Sequence, residues 1–287
     1  MPMERIKLNN GMSIPPVGLG TYLIKPEPCE AAVLHALTHG YDLIDTANIY
    51  LNERAVGRAI KASGRKREEL FITSKIWPAD FSKKKVGKAV DETLKRLGLD
   101  YLDLLILHQP AGKFVEAYRA LEEEVDKGRI KAIGLSNFYD KDLKKILSIC
   151  RIKPVLLTLE CHPYGQNKEL KRYLDEQGIL LQSWFPLGQG DPKLVGEPIF
   201  QELAKKYGKT PHQIILKWHV QSGFCVIPGS KTPSHIDDNI ALFDFELTKE
   251  EMEAIAALDK KKRYYNFPRW AVRLFIPMIR FNYDKQP

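Results

Sequence analysis

Short apolar runs recur along the chain at Val17–Gly20, Leu43–Thr46, Phe71–Lys75, Leu102–His108, Ile130–Ser136, Val155–Glu160, Leu180–Trp184 and Phe224–Ile227. Brief, almost wholly apolar runs are the pattern of strands covered on both faces. Between them lie stretches with apolar residues at i, i+3, i+4 spacing. One has Val86, Val90, Leu94 and Leu97 on one face, with Lys84, Lys88, Asp91 and Lys95 around it, which predicts an amphipathic helix. Glycines at Gly40, Gly98, Gly128 and Gly178 stand where such helices end. Strand–helix alternation places the strands parallel. Eight such units predict an α/β fold, a (β/α)8 barrel. The first residues, Ile6-Lys7-Leu8, Asn9-Asn10-Gly11 and Met12-Ser13-Ile14, predict a hairpin capping one end of it. A doubly wound open sheet competes, but Gly18-Leu19-Gly20-Thr21-Tyr22 lacks the third glycine of a dinucleotide-binding turn.

Composition narrows the picture. A chain of 287 residues with 44% hydrophobic content buries a sizeable core, which excludes disorder. The formal net charge is +8, a value that raises nucleic acid as a partner. Residues 260–287, however, hold eight basic residues and one acidic, leaving 36 basic and 35 acidic in the rest. The body is almost neutral, so nucleic acid is not expected. Cys29, Cys150, Cys161 and Cys225 have no C-x-x-C spacing, which argues against a zinc ribbon or dithiol motif. With no apolar leader in MPMERIKLNN and no long apolar run, the expectation is a reduced, cytoplasmic protein without a membrane span. Residues 1–265 are read as a single barrel domain and 266–287 as a basic, aromatic tail.

Barrel chemistry sits at the C-terminal ends of strands. Asp45 ends the second strand, Lys75 the third and His108 the fourth, and Tyr50 follows the second. Singly, each has an ordinary explanation: a turn or cap, a solvated lysine, a histidine bonded to backbone, a packing tyrosine. Together they converge on one face. A buried Lys75 needs an anion, and Asp45 is the nearest candidate. The cation is expected to lower the Tyr50 phenol from ~10. Such a phenol exchanges a proton with an oxygen near neutral pH, and His108 would orient that oxygen. No nucleophile has an adjacent base, so acyl transfer is not indicated. The set suits a carbonyl becoming an alkoxide, which implies a hydride source that no side chain supplies, hence a nicotinamide cofactor.

The chain resembles the aldo-keto reductase superfamily from about residue 5 to about residue 265. The resemblance rests on Gly18-Leu19-Gly20-Thr21, Ile44-Asp45-Thr46-Ala47 with Tyr50, Asn52-Glu53, Glu68–Lys75 with Trp77, Leu97–Leu104, His108 with Pro110, Ile133–Phe138, Glu160-Cys161-His162-Pro163, Pro186-Leu187-Gly188 and Ile227-Pro228. It implies metal-free reduction of aldehydes or ketones by the 4-pro-R hydride of NADPH. Tyr50 would be the general acid, Lys75 and Asp45 would tune it, and His108 would hold the carbonyl.

The resemblance also implies a cofactor site. Ser136 and Asn137 would hold the carboxamide, with Thr158 where the family usually has Gln. Trp184 would stack on the ring in place of Tyr, and Phe185 follows it. Leu187, Gly188 and Gly190 would cover the pyrophosphate, and Thr21, Tyr22 and Asp45 would border the same site. Ser230, Lys231, Thr232, His235 and Asn239 would take the adenosine end. There the family's usual Lys and Arg are Gly229 and His235, so NADPH is expected with NADH use left open. Tyr22, Trp77, His108 and Gln109 are the substrate-binding candidates, and Phe81 and Phe138 are expected to line the pocket with them. A short loop from Gln109 to Phe114 suggests an open site of broad tolerance.

Two rival functions remain. A metal-dependent hydrolase would join Glu160 and His162 to Asp45 and His108. A non-catalytic nicotinamide-binding barrel would have no use for all four converging groups. The tail is read as a lid, with a dimer contact and membrane-surface association as alternatives. The expected partner is a small carbonyl substrate, and the expected state is a monomer or weak homodimer.

Overall fold

A computed structural model describes residues 4–287. Two strands, β1 (Ile6–Lys7) and β2 (Ser13–Ile14), pair antiparallel as the predicted hairpin. Eight more follow: β3 (Leu19–Gly20), β4 (Leu43–Asp45), β5 (Phe71–Ile76), β6 (Leu104–Leu107), β7 (Ile133–Ser136), β8 (Leu156–Glu160), β9 (Leu180–Trp184) and β10 (Cys225–Val226). They lie side by side in chain order and all pair parallel. A parallel bridge between Val17 and Val226 joins the first of these strands to the last and closes the (β/α)8 barrel. All eight predicted strands are present.

Helices fill the crossovers: α1 (Pro26–Thr38), α2 (Glu53–Ala62), α3 (Lys83–Leu97), α4 (Phe114–Asp126), α5 (Asp140–Leu147) and α6 (Lys168–Glu176). Three lie between β9 and β10, namely α7 (Pro192–Val195), α8 (Pro198–Tyr207) and α9 (Pro211–Gln221). After β10 come α10 (Pro233–Ile240), α11 (Lys249–Ala256) and, in the tail, α12 (Arg269–Phe275). The predicted amphipathic stretch is α3, whose Val86, Val90, Leu94 and Leu97 are buried and whose C-cap is Gly98.

Side chains of a strand alternate between faces, and this alternation sorts the core into two layers. Ile44, Ile72, Leu105, Leu107, Leu135, Leu157 and Leu181 point outward and pack with the helices. Leu43, Phe71, Leu104, Ile106, Leu156 and Cys225 belong to a separate inner cluster that includes Leu8 and Ile14 of the hairpin. The hairpin therefore plugs the N-terminal end. Two residues further along the same inward faces the character changes, to Asp45, Thr73 and Lys75, Ser136, Thr158, Gln182 and Trp184. The barrel interior is apolar at the closed end and polar at the other.

Gly20 explains the incomplete glycine pattern. A Cβ there would lie 2.6 Å from the Ile227 carbonyl oxygen across the seam, so the glycine permits barrel closure. Gly20→Ala should cost about 1–3 kcal/mol through overpacking. Urea denaturation followed by circular dichroism measures this; an unchanged midpoint would show that the seam relaxes freely.

Candidate active site

Register brings the polar groups together. Asp45 pairs with Thr73, and Lys75 lies two residues beyond Thr73 on the same face. Lys75 pairs with Ile106, so His108, two residues further, returns to the interior. The Lys75 Nζ donates to Asp45 Oδ1 and, at 3.0 Å, to the Thr46 carbonyl. Lys75 and Asp45 are only 3% and 2% exposed, which makes this a buried ion pair. Burial pushes the Asp45 carboxyl up and the Lys75 ammonium down, and the attraction between them opposes both shifts.

Tyr50 sits in a short helical turn, Asn48–Tyr50, after β4. Asn52 pins that turn. It accepts from the Thr46 hydroxyl at 2.8 Å and donates to the carbonyls of Thr21 and Ile24 at 2.9 and 3.0 Å. Glu53 anchors the next residue through the Ser74 hydroxyl at 2.7 Å and the buried Arg96 at 2.6 Å. So held, the Tyr50 ring lies 5.0 Å from Lys75 Nζ and meets His108 edge-on at 5.7 Å. Trp77 packs edge-on against the other side of His108 at 5.4 Å.

The protonation states differ in part from expectation. Burial raises the Tyr50 phenol well above its ordinary value, with Asp45 and Tyr22 adding to the shift. Burial decides the direction, and the Lys75 charge that was expected to lower the phenol is paired with Asp45. Tyr50 thus holds its proton. Burial, then the nearby Lys75, drives His108 well below the usual imidazole value, so it is neutral.

These groups form one end of a cavity of about 400 Å³. Asp45, Tyr50, Lys75 and His108 line it, as do the expected Tyr22, Trp77, Gln109, Ser136, Asn137, Thr158, Trp184, Phe185 and Leu187. Asn137 Oδ1 and Thr158 Oγ1 are buried there without a hydrogen-bond partner, whereas Asn137 Nδ2 donates to Ser136 Oγ at 3.2 Å. An unpartnered acceptor and an unpartnered hydroxyl beside an indole face suit an amide-bearing aromatic ring. Residues 188–190 form a helical turn beside the cavity, where Gly188 has φ 59° and Gly190 φ 75°.

Other expectations fall outside the cavity. Phe138 packs on Phe114 within the outer core, and Phe81 is buried there too, so neither lines the pocket. The β7–α5 and β5–α3 connections turn these two rings toward the helices. Thr21 is buried and donates to the Asp45 carbonyl at 3.1 Å, a structural rather than a lining position. Lys231, Thr232 and His235 are exposed, Ser230 is half-buried, and Asn239 is buried on α10. Glu160 accepts from the backbone N–H groups of Tyr264 and Tyr265 at 2.5 and 2.9 Å, and His162 Nε2 lies 3.1 Å from it. Glu160 thus pairs with His162 and with the backbone instead of joining Asp45 and His108. Glu160 thereby fixes Tyr265, which lines the cavity and meets Trp184 edge-on at 5.8 Å. Sequence reasoning missed Tyr265; an acidic residue closing β8 was the available sign that a chain segment crosses there.

With the geometry described, similarity to known proteins places the molecule. The aldo/keto reductase family model matches residues 16–260. The methylglyoxal reductase DkgA of Escherichia coli is 41% identical over 261 residues, covering 90% of this chain and 94% of that protein. The glyoxal reductase of Bacillus subtilis is 42% identical over 262 residues, covering 91% and 94%. The aldo-keto reductase of Bombyx mori, solved in complex with NADP, superposes with a TM-score of 0.89 at 32% identity, covering 96% and 99%. The barrel and its polar end define a class of oxidoreductase that uses nicotinamide cofactors. The chain belongs to the aldo/keto reductase family.

Removing one member of the buried pair should be far worse than removing both. Lys75→Met leaves the Asp45 charge unmatched and should cost about 3–5 kcal/mol. Adding Asp45→Asn should restore most of that stability without restoring carbonyl reduction. Denaturation and turnover of the single and double variants measure the two effects separately; a double variant no more stable than Lys75→Met would refute the pairing.

Proposed function

We propose that the protein reduces aldehyde and ketone carbonyls to alcohols using NADPH, with Tyr50 as the proton donor. The observation that carries this reading is the meeting of Tyr50, neutral His108 and the Lys75–Asp45 pair at one end of the cavity that also holds unpartnered Asn137 and Thr158 atoms. A bound reduced nicotinamide supplies the hydride. Asn137, Thr158 and Ser136 would hold its carboxamide and Trp184 its ring, while Lys231 offers a cation for a 2′-phosphate. With Gly229 and His235 in place of Lys and Arg, NADH is used as well.

The chain's own groups then handle the oxygen. His108 donates a hydrogen bond to the substrate carbonyl and fixes its direction. As charge develops on that oxygen, Tyr50 transfers its proton, forming the alcohol O–H and leaving a phenolate. The Lys75 ammonium beneath the ring stabilises that phenolate, and solvent returns the proton. Asp45 keeps Lys75 oriented and charged when Tyr50 is neutral.

Small carbonyls suit the cavity, and the similarity to glyoxal and methylglyoxal reductases supports 2-oxoaldehydes as a substrate class. The tail supports a lid role. Trp77 Nε1 donates to the Ile279 carbonyl at 3.0 Å, and its ring meets Phe281 edge-on at 5.8 Å. Arg269 and Arg273 bind Asp142 of α5 at 3.1 and 2.5 Å, on the rim two strands further round. Residues 269–281 therefore run along the rim beside the cavity, from α5 past Gly112 of the β6–α4 connection to Trp77.

Tyr50→Phe should lower kcat by about 10²–10⁴ while leaving NADPH binding, followed by fluorescence, nearly unchanged. Near-normal turnover would remove Tyr50 from the chemistry. The reductive kcat/KM should show no inflection near pH 6.5, because His108 is held neutral far below that value. It should fall only at alkaline pH, where the raised phenol loses its proton. A limb centred near 6.5 would show that His108 titrates during turnover.

A further inference from the structure

Three metal-ligand side chains meet on the outer surface, away from the cavity. His35 lies in the last turn of α1 and His39, four residues on, is its C-cap, while Asp237 projects from α10, which packs against α1. The two imidazole rings stack with centroids 3.8 Å apart and planes 17° apart. His35 Nε2 lies 2.7 Å from Asp237 Oδ1. One ligand atom from each of the three lies within 4.8 Å of the others.

The surrounding acceptors determine which nitrogen of His39 is free. Its Nδ1 faces the His35 carbonyl at 2.8 Å. A carbonyl only accepts, so Nδ1 carries the hydrogen. The Thr38 hydroxyl, 3.1 Å from the same nitrogen, is within reach of the Leu34 and His35 carbonyls as a donor and accepts from Nδ1. His39 Nε2 therefore keeps its lone pair. A histidine whose second nitrogen donates to backbone is the arrangement that orients imidazoles in metal centres. A hydrogen bond tying α1 to α10 would account for His35 and Asp237. It leaves the exposed His39, four residues on, with an unused lone pair; nearly parallel rings cannot both aim in-plane lone pairs at one ion, so His39 turns out of the stack to bind. His39 is exposed, and the other two are half-buried, so an ion reaches the cluster from solvent.

We infer that His35, His39 and Asp237 bind a divalent transition-metal ion, with zinc the best suited. Two imidazole nitrogens and one carboxylate oxygen make a three-ligand set that zinc completes with water. Magnesium, which prefers oxygen ligands, does not fit. The ion joins α1 to α10 on the outside of the barrel and plays no part in the proton transfer at Tyr50.

Calorimetric titration of tag-free, cofactor-free full-length protein with zinc chloride tests this. One zinc per chain is expected, undisturbed by a hundredfold excess of magnesium, and the apo melting temperature should rise on saturation. His39→Ala removes an exposed side chain and should leave the circular dichroism spectrum intact. It should weaken zinc binding at least about tenfold, as should Asp237→Asn. Absence of zinc binding, displacement by magnesium, or unchanged affinity in both variants would overturn the inference.

Discussion

The buried pair between Lys75 and Asp45 is the constraint on which the site depends. Desolvating either ion alone costs several kcal/mol, so neither is tolerable without the other. Parallel register supplies the partner: Asp45 and Lys75 come from neighbouring strands, two rungs apart on one inward face. The pair then places a cation 5.0 Å from the Tyr50 ring without leaving it free to ionise the phenol beforehand. Tyr50 stays protonated at rest, and in the reaction proposed above it would gain a counter-charge as it gives up its proton. In that proposed reaction this would be differential stabilisation of the transition state, the requirement for raising kcat.

The remainder of the fold makes such a costly arrangement affordable. The closed end of the barrel is filled by Leu43, Phe71, Leu104, Ile106 and Leu156 under the hairpin residues Leu8 and Ile14. The open end is polar because the same inward faces change character after two residues. Asn52 fixes the Tyr50 turn to the segment after β3, and Glu53 fixes it to β5 and α3. Glu160 fixes Tyr265 and so the start of the tail, which continues over Trp77. The charge concentrated in residues 260–287 is partly spent on these attachments. Lys260 pairs with Glu197, Lys262 with Asp191, and Arg269 and Arg273 with Asp142.

Much of this was legible in the sequence, for identifiable reasons. Strands covered on both faces announce themselves as apolar runs, and all eight were found. Strand ends in a barrel point to the open face, which located Asp45, Lys75 and His108 from position alone. Other features depend on tertiary packing. Phe81 and Phe138 have the composition of pocket residues, yet the loops carrying them turn outward. The Tyr50 shift depends on how completely Asp45 neutralises Lys75 and how deeply the ring is buried, and neither is encoded locally. Tyr265 reaches the cavity only because Glu160, over a hundred residues earlier, binds two amides of its segment.

The central claim is that this polar end protonates a carbonyl oxygen while hydride is delivered to the adjacent carbon. Isotope tracing tests it most directly. The protein would be supplied with NADPH deuterated at the 4-pro-R position and with methylglyoxal, and the product alcohol analysed by mass spectrometry. The account predicts one deuterium on the former carbonyl carbon for each NADPH consumed. Cofactor oxidation with no deuterium in the alcohol, or no reaction across aldehydes and ketones, would contradict it.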